Sequence, residues 1–345
     1  MKTVKPYLAI MIATLLLSAL LAACSDGSDS SNPTAQPPSS ANEPKQADEV
    51  EPSVDQPEAA AYPRTVKDAN GDFTIQQKPQ KIALAHWGLS EVLLTFDLDH
   101  AALTLPFTED QSLLGSEQYK PYVDKIGAIE IIGENTEVNL EALLEYEPDL
   151  ILAGSDTNKA IAAELQKIAP TYFLDEAAVN VWGDWPTVMR LFGELLAQEA
   201  QAESYIERFE TLKTDAKQRL ADVEGTTALL QVRKDAVWLQ GPAYAELYYS
   251  GLGLTPPSGT LAEEGGQLSL EGLSELDPDY LLLGNFTVGD SSQPAEIEAW
   301  KDSPVWANLK AVKQQRVYAF DGQLALGYGP IGQTYGIEQV LAAMD

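Results

Sequence analysis

A chain of 345 residues is too long for one compact core and suits about two domains. Its formal net charge of −30 argues against nucleic acid, where basic patches supply the affinity, and against lying flat on anionic lipid. One cysteine allows no intrachain disulfide. With only two histidines, His86 and His100, a bare transition-metal centre is short of its usual ligands.

In chain order, Lys2 and Lys5 precede an apolar run from Leu8 to Leu21. That run is shorter than the roughly 20 residues a spanning helix needs, and it fits a signal peptide. It ends Leu21-Ala22-Ala23-Cys24, which resembles a bacterial lipobox and implies cleavage before Cys24 and a lipid on its sulfur. Residues 25–61, rich in Ser, Pro and acids, bury too little apolar surface to order and read as a tether. More than one acyl chain would anchor the protein stably on the outer face of the cell membrane. The long tether and Ser25 point to a cell with a single membrane.

From Tyr62 the composition is globular. Lys81–Ala85 (KIALA) is a buried strand, His86-Trp87-Gly88 a loop, Leu89–Phe96 a helix and Ala101–Phe107 a second strand. A polar stretch over residues 108–125 forms a cleft loop and a short helix. Lys159–Ile168 is helical, and Thr171–Leu174 extended. From Pro186 to Val223 apolar positions recur at helical spacing, with Gly193 the single glycine. This predicts one helix on the order of 55 Å long, or else a pair broken near Ala200. Beyond it come strands at Thr227–Val232 and Val237–Leu239, a helix at Ala243–Ser250, a strand at Arg316–Phe320 and a C-terminal helix.

Two segments repeat. Residues 139–154 (NLEALLEYEPDLILAG) and 269–284 (SLEGLSELDPDYLLLG) match at eight of sixteen positions. Each opens on a helix-capping residue, Asn139 or Ser269, continues with leucines at helical spacing, and meets Pro148 or Pro278 before a short apolar strand. Each carries a glutamate, Glu141 or Glu271, at the second helical position. A helix dipole alone accounts for either one, but the shared register leaves a paired role equally open. Two α/β lobes follow: residues 62–185, a connecting helix over 186–223, and residues 224–345.

The ordered motifs KIALAHWGLSEVLL, IGENTEVNLEALLEYEPDLILA, QGPAYAELYYSGLGL, LSLEGLSELDPDYLLL and WANLKAVKQQRVYAF followed by GYGP resemble the periplasmic-binding-protein family that delivers ferric siderophores and cobalamin to ABC importers. The resemblance covers nearly all of residues 62–345. It implies two lobes with parallel-rich sheets joined by one backbone helix, the class III substrate-binding arrangement, with a ligand cleft between them. It also implies that Glu141 and Glu271 contact arginines of a permease. The expected partners are a ferric siderophore, the permease of an ABC importer and, through the lipid alone, a membrane. The protein is expected to be a monomer with no cofactor and no enzymatic activity.

Ligand candidates occupy the predicted inter-lobe loops: His86, Trp87, Trp182, Trp185, Arg233, Tyr244 and Tyr328. Tryptophans in these places serve core packing as readily as ligand contact, and Arg233 either holds a carboxylate of the chelate or forms a surface ion pair. The chain departs from hydroxamate-specific members. Asn135 stands where they carry arginine, Val138 replaces a proline, Asp97 a glycine, and the loop over residues 154–158 has no aromatic. Haem or cobalamin remains the alternative cargo. A surface hydrolase is a further alternative, although there is no G-x-S-x-G elbow and no HExxH.

Overall fold

The computed structural model describes residues 61–286 and 296–344. The leader, Cys24 and the tether over residues 1–60 lie outside the described residues. Among the described residues no helix is long and apolar enough to cross a membrane.

A hairpin of β1 (Arg64–Asp68) and β2 (Gly71–Ile75) opens the described chain, a feature the sequence reading missed. The first lobe is built on β3 (Lys81–Leu84), β4 (His100–Thr104), β5 (Ala128–Glu134), β6 (Glu137–Val138), β7 (Leu150–Gly154) and β8 (Thr171–Leu174). They stand in the order β6-β5-β4-β3-β7-β8, parallel except for β6. The second lobe holds β9 (Thr227–Val232), β10 (Val237–Leu239), β11 (Gly266–Leu268), β12 (Tyr280–Asn285) and β13 (Val317–Asp321), in the order β11-β10-β9-β12-β13. Here β9, β12 and β13 are parallel, while β10 and β11 run antiparallel.

The interior parallel strands β3, β4, β7, β9 and β12 are buried on both faces, which explains their near-continuous apolar runs. Along β3, Ile82 and Leu84 enter one cluster and Ala83 enters another; along β7, Leu150 and Leu152 part from Ile151 and Ala153 in the same way. The cluster containing Ile82 does not stop at the lobe boundary. It runs through the helices Trp185–Leu196 and Glu199–Arg219 to Leu229, Leu282 and Phe320 of the second sheet and Ile337 of the last helix. One buried apolar body therefore ties the lobes together.

The repeat folds as expected. Asn139 accepts from the N–H groups of Glu141 and Ala142, and Ser269 from that of Gly272. Helices Leu140–Tyr146 and Leu270–Leu276 each end on a left-handed acid, Glu147 or Asp277, just before the proline. The strands that follow, β7 and β12, take interior places in their sheets. One leucine departs from the pattern: Leu144 is 60% exposed, while Leu143 is fully buried.

The connecting element is two helices rather than one. The chain breaks at Ala197, which is left-handed at φ +57°, and resumes at Glu199. The Gln198 side chain exchanges two hydrogen bonds of 2.9 Å with the Asp97 backbone. A Cβ on Gly193 would stand 2.9 Å from that of Ala202, so this glycine lets the helices cross closely. The helix expected at Ala243–Ser250 is a turn followed by one π-helical turn, Leu247–Gly251.

Candidate functional site

Open parallel sheets bind ligands beyond the carboxyl ends of their strands. In the first lobe these ends lead into His86-Trp87 after β3, residues 155–158 after β7 and Glu176 after β8. In the second, β9 leads to Arg233, β12 to Phe286 and β13 to Gln323.

The structure brings together four of the predicted residues. The rings of Trp87 and Trp182 lie 4.8 Å apart, His86 and Trp182 5.5 Å, and Trp182 and Tyr328 5.3 Å, the last edge-on. Trp87 and Trp182 belong to the first lobe and Tyr328 to the second, so the aromatic group spans the cleft. Gly88 makes it possible, because a Cβ there would stand 2.4 Å from the Trp182 ring. Tyr328 is 54% exposed and supplies the open face.

His86 is the foundation rather than a contact surface, for it is fully buried. Its Nδ1 accepts from the Gly88 N–H at 3.1 Å, which assigns the proton to Nε2. That nitrogen faces Glu176 Oε1 at 3.3 Å and Thr157 Oγ1 at 3.2 Å. Glu176 also accepts from the Thr157 hydroxyl and, through Oε2, from the N–H groups of Asp156 and Thr157 at 2.7 and 2.8 Å. Burial pushes the His86 pKa down against the pull of Glu176. For Glu176 burial pushes up, but the Thr157 and Asp156 hydrogen bonds and His86 together outweigh it and hold the carboxyl below its usual value.

Both depressed groups make acid unfavourable. The stability tied to neutral His86 is whole above pH 6.5 and runs out as pH falls from there through the lowered folded value. That of Glu176 is lost lower, below pH 4.5. The melting temperature is therefore expected to fall between pH 7.5 and 5, and His86→Asn to flatten the upper part of that fall. Thermal melts of both proteins check it; equal slopes above pH 5 would remove His86 as the cause. Glu91, whose pKa is raised, works in the opposite direction, so the difference between the two proteins isolates the histidine.

Arg233 is exposed at the end of β9, its guanidinium 4.9 Å from the Phe286 ring and its Nε donating to Gln231 at 3.1 Å. Phe286 meets Phe107 of the first lobe edge-on at 6.3 Å, and Gln323 Nε2 donates to the Gln111 carbonyl at 3.1 Å. Between these contacts lies a cavity of about 60 Å³ bounded by Ser90, Phe107, Tyr119 and Gln323.

Two expectations are corrected. Trp185 is 2% exposed and lies behind the cleft, edge-on to Tyr205 and Phe209, with Nε1 donating to Gln333 at 2.9 Å. The helical stripe of residues 185–196 claims it for the core. Tyr244 is 80% exposed, but antiparallel β10 carries the chain away from the cleft end of the sheet, so Tyr244 stands apart from Arg233. Asn135 also finds a reason: with Thr136 it makes the two-residue β5–β6 turn, both at positive φ (52° and 69°), a geometry asparagine tolerates and arginine does not favour.

Sequence reasoning missed Glu91, Tyr119, Thr157 and Glu176. Glu91 is a single acid within an apolar stretch and Glu176 follows Asp175 just after one, and that was the available signal. Glu141 and Glu271 are both exposed in the first turns of equivalent helices, one per lobe. Glu271 lines a second cavity of about 540 Å³, with Asp235, Leu268 and Trp300 among its walls, beside the turn that joins β9 to β10.

Comparison with known proteins agrees with this geometry. The iron-uptake system-binding protein of Bacillus subtilis is 28% identical over 207 residues, 59% of this chain and 63% of that protein. The probable siderophore-binding lipoprotein YfiY of the same organism is 24% identical over 92% of this chain and 91% of its own. The solved structure of the B. subtilis triscatecholate siderophore binding protein FeuA with ferri-bacillibactin has the same fold, with a TM-score of 0.62 at 22% identity over 81% of this chain and 98% of that one. All three are binding proteins rather than enzymes, as the sequence led us to expect. The family match over residues 99–324, with two parallel-rich lobes meeting at their strand ends, shows that this chain belongs to the periplasmic binding protein family.

Proposed function

We propose that this protein is the substrate-binding component of an ABC importer that takes a ferric siderophore into its inter-lobe cleft. The observation that carries the reading is the aromatic group Trp87–Trp182–Tyr328, contributed by both lobes at their strand ends. A chelate already surrounds its iron, so the protein needs to offer no metal ligand, only a broad amphipathic surface and a few oriented donors. The tryptophan faces supply the first and Arg233 a donor for an oxygen of the chelate. His86 has both ring nitrogens engaged, which removes the obvious axial ligand for haem.

Delivery rests on Glu141 and Glu271. Leu144, exposed three residues beyond Glu141, and the cavity beside Glu271 each give a carboxylate an apolar neighbour, the combination that suits an arginine with its aliphatic stem. Because one apolar body runs through both lobes, closure on ligand is small. Lipidation at Cys24 holds the protein on the outer face of the membrane within reach of the permease.

Titrating the protein with ferric citrate, a ferric trihydroxamate and a ferric tricatecholate while following tryptophan fluorescence tests the cargo. Micromolar or tighter binding of at least one is expected; binding of none, with haem or cobalamin retained instead, overturns it. Trp182→Ala should weaken the bound chelate by about 30-fold, about 2 kcal/mol, the loss usual for a central tryptophan anchor. An unchanged Kd would place the chelate elsewhere.

A further inference from the structure

The carboxylate of Glu91 is half-buried, lies one turn beyond Trp87 and bonds to none of its own lobe's strands. Its Oε2 accepts from the N–H of Gly332 at 2.8 Å, in the first turn of the helix Pro330–Met344. The Ile331 N–H and the Tyr119 hydroxyl also donate to it. The second-lobe backbone is shaped around it. A Cβ on Gly329 would stand 2.5 Å from Glu91 Cβ, and one on Gly327 would stand 3.3 Å from Glu91 Oε1. These two glycines flank Tyr328.

We infer that Glu91 is a positioning residue for the cleft: its carboxylate draws the Gly327–Pro330 turn of the second lobe onto the first and thereby sets Tyr328 against Trp182. The helix Ser90–Leu94 that carries Glu91 continues directly from the turn that holds Trp87. One short segment therefore fixes aromatic side chains on both sides of the cleft, Trp87 covalently and Tyr328 through the Gly332 and Ile331 N–H groups that Glu91 holds. Burial pushes the Glu91 carboxyl up and the three donors pull it back, as expected of a group drawn into a contact between lobes. The affinity part of the inference rests on the proposed cleft ligand; the positional part does not.

The test is a series at residue 91, read by amide hydrogen exchange without ligand and by affinity for whichever ferric chelate of the panel binds tightest. Glu91→Gln keeps an acceptor at the same reach and should leave Gly332 protected and the affinity within about threefold. Glu91→Asp keeps the charge but withdraws the oxygens by about one methylene. It should speed exchange at Gly332 by about tenfold or more and weaken binding by about tenfold. In a Tyr328→Ala background the same Asp change should weaken binding no further, because Glu91 acts through that ring. Unchanged exchange at Gly332 in Glu91→Asp, or an equal loss of affinity with and without Tyr328, overturns the inference. If no chelate of the panel binds, the siderophore reading fails, and the exchange measurement still decides the role of Glu91.

Discussion

Replacing Glu141 and Glu271 together by alanine is expected to reduce iron uptake to background while leaving ligand affinity nearly intact. Both side chains are exposed on helices outside the aromatic group, so their removal touches neither the core nor the cleft. Each is proposed to meet a permease arginine, and a charge-assisted pair is worth about 1.5–3 kcal/mol. Losing two such pairs weakens docking on the order of 100-fold or more, at about 1.4 kcal/mol per tenfold. Uptake by cells expressing the double variant, beside the Kd of the purified protein, makes the measurement. Wild-type uptake would return both glutamates to plain helix-dipole acids. Each single variant should retain partial uptake, since the other lobe still docks.

Trp185→Ala is expected to destabilise the protein by about 3–5 kcal/mol, the usual loss for truncating a buried Trp or Phe. Its indole lies 4.9 Å from the Phe209 ring and 6.1 Å from that of Tyr205, at 2% exposure. Removal also orphans Gln333 on the last helix, adding about 1 kcal/mol. Against a total of about 5–15 kcal/mol that is a large share. Urea denaturation should show a lower midpoint. Trp182→Ala, three residues away, should shift the midpoint far less and the affinity far more. The reverse pattern would exchange the roles given to these two tryptophans.

The site was legible where chemistry sits at the end of a readable strand. KIALA fixed the places of His86 and Trp87, and the strand Thr227–Val232 that of Arg233, because a parallel strand delivers its next residues to the cleft. Trp182 and Tyr328 were legible only as aromatics in loops; that they meet at 5.3 Å is a fact about two lobes and not about either segment. Trp185 was misjudged because one residue's exposure depends on which helix face its neighbours claim. Tyr244 was misjudged because local pattern does not reveal that β10 runs antiparallel to β9. Glu91 and Glu176 were missed because their partners lie far off in the chain, at Gly332 and at His86 and Thr157.

By itself the sequence determined the duplicated capped helix and its following strand, the order of the parallel strands' residues and the acid on each lobe. All of these follow from local periodicity, capping and proline geometry. Only the tertiary structure decided that the connecting helix breaks. Residues 194–203 (ELLAQEAQAE) hold no glycine or proline, and every one favours a helix. Yet Gln198 finds the Asp97 backbone and Gly193 finds Ala202, and those two contacts turn the chain. Propensity is worth tenths of a kcal/mol per residue. Packing two helices against a shared core is worth several, so the long-range contacts won.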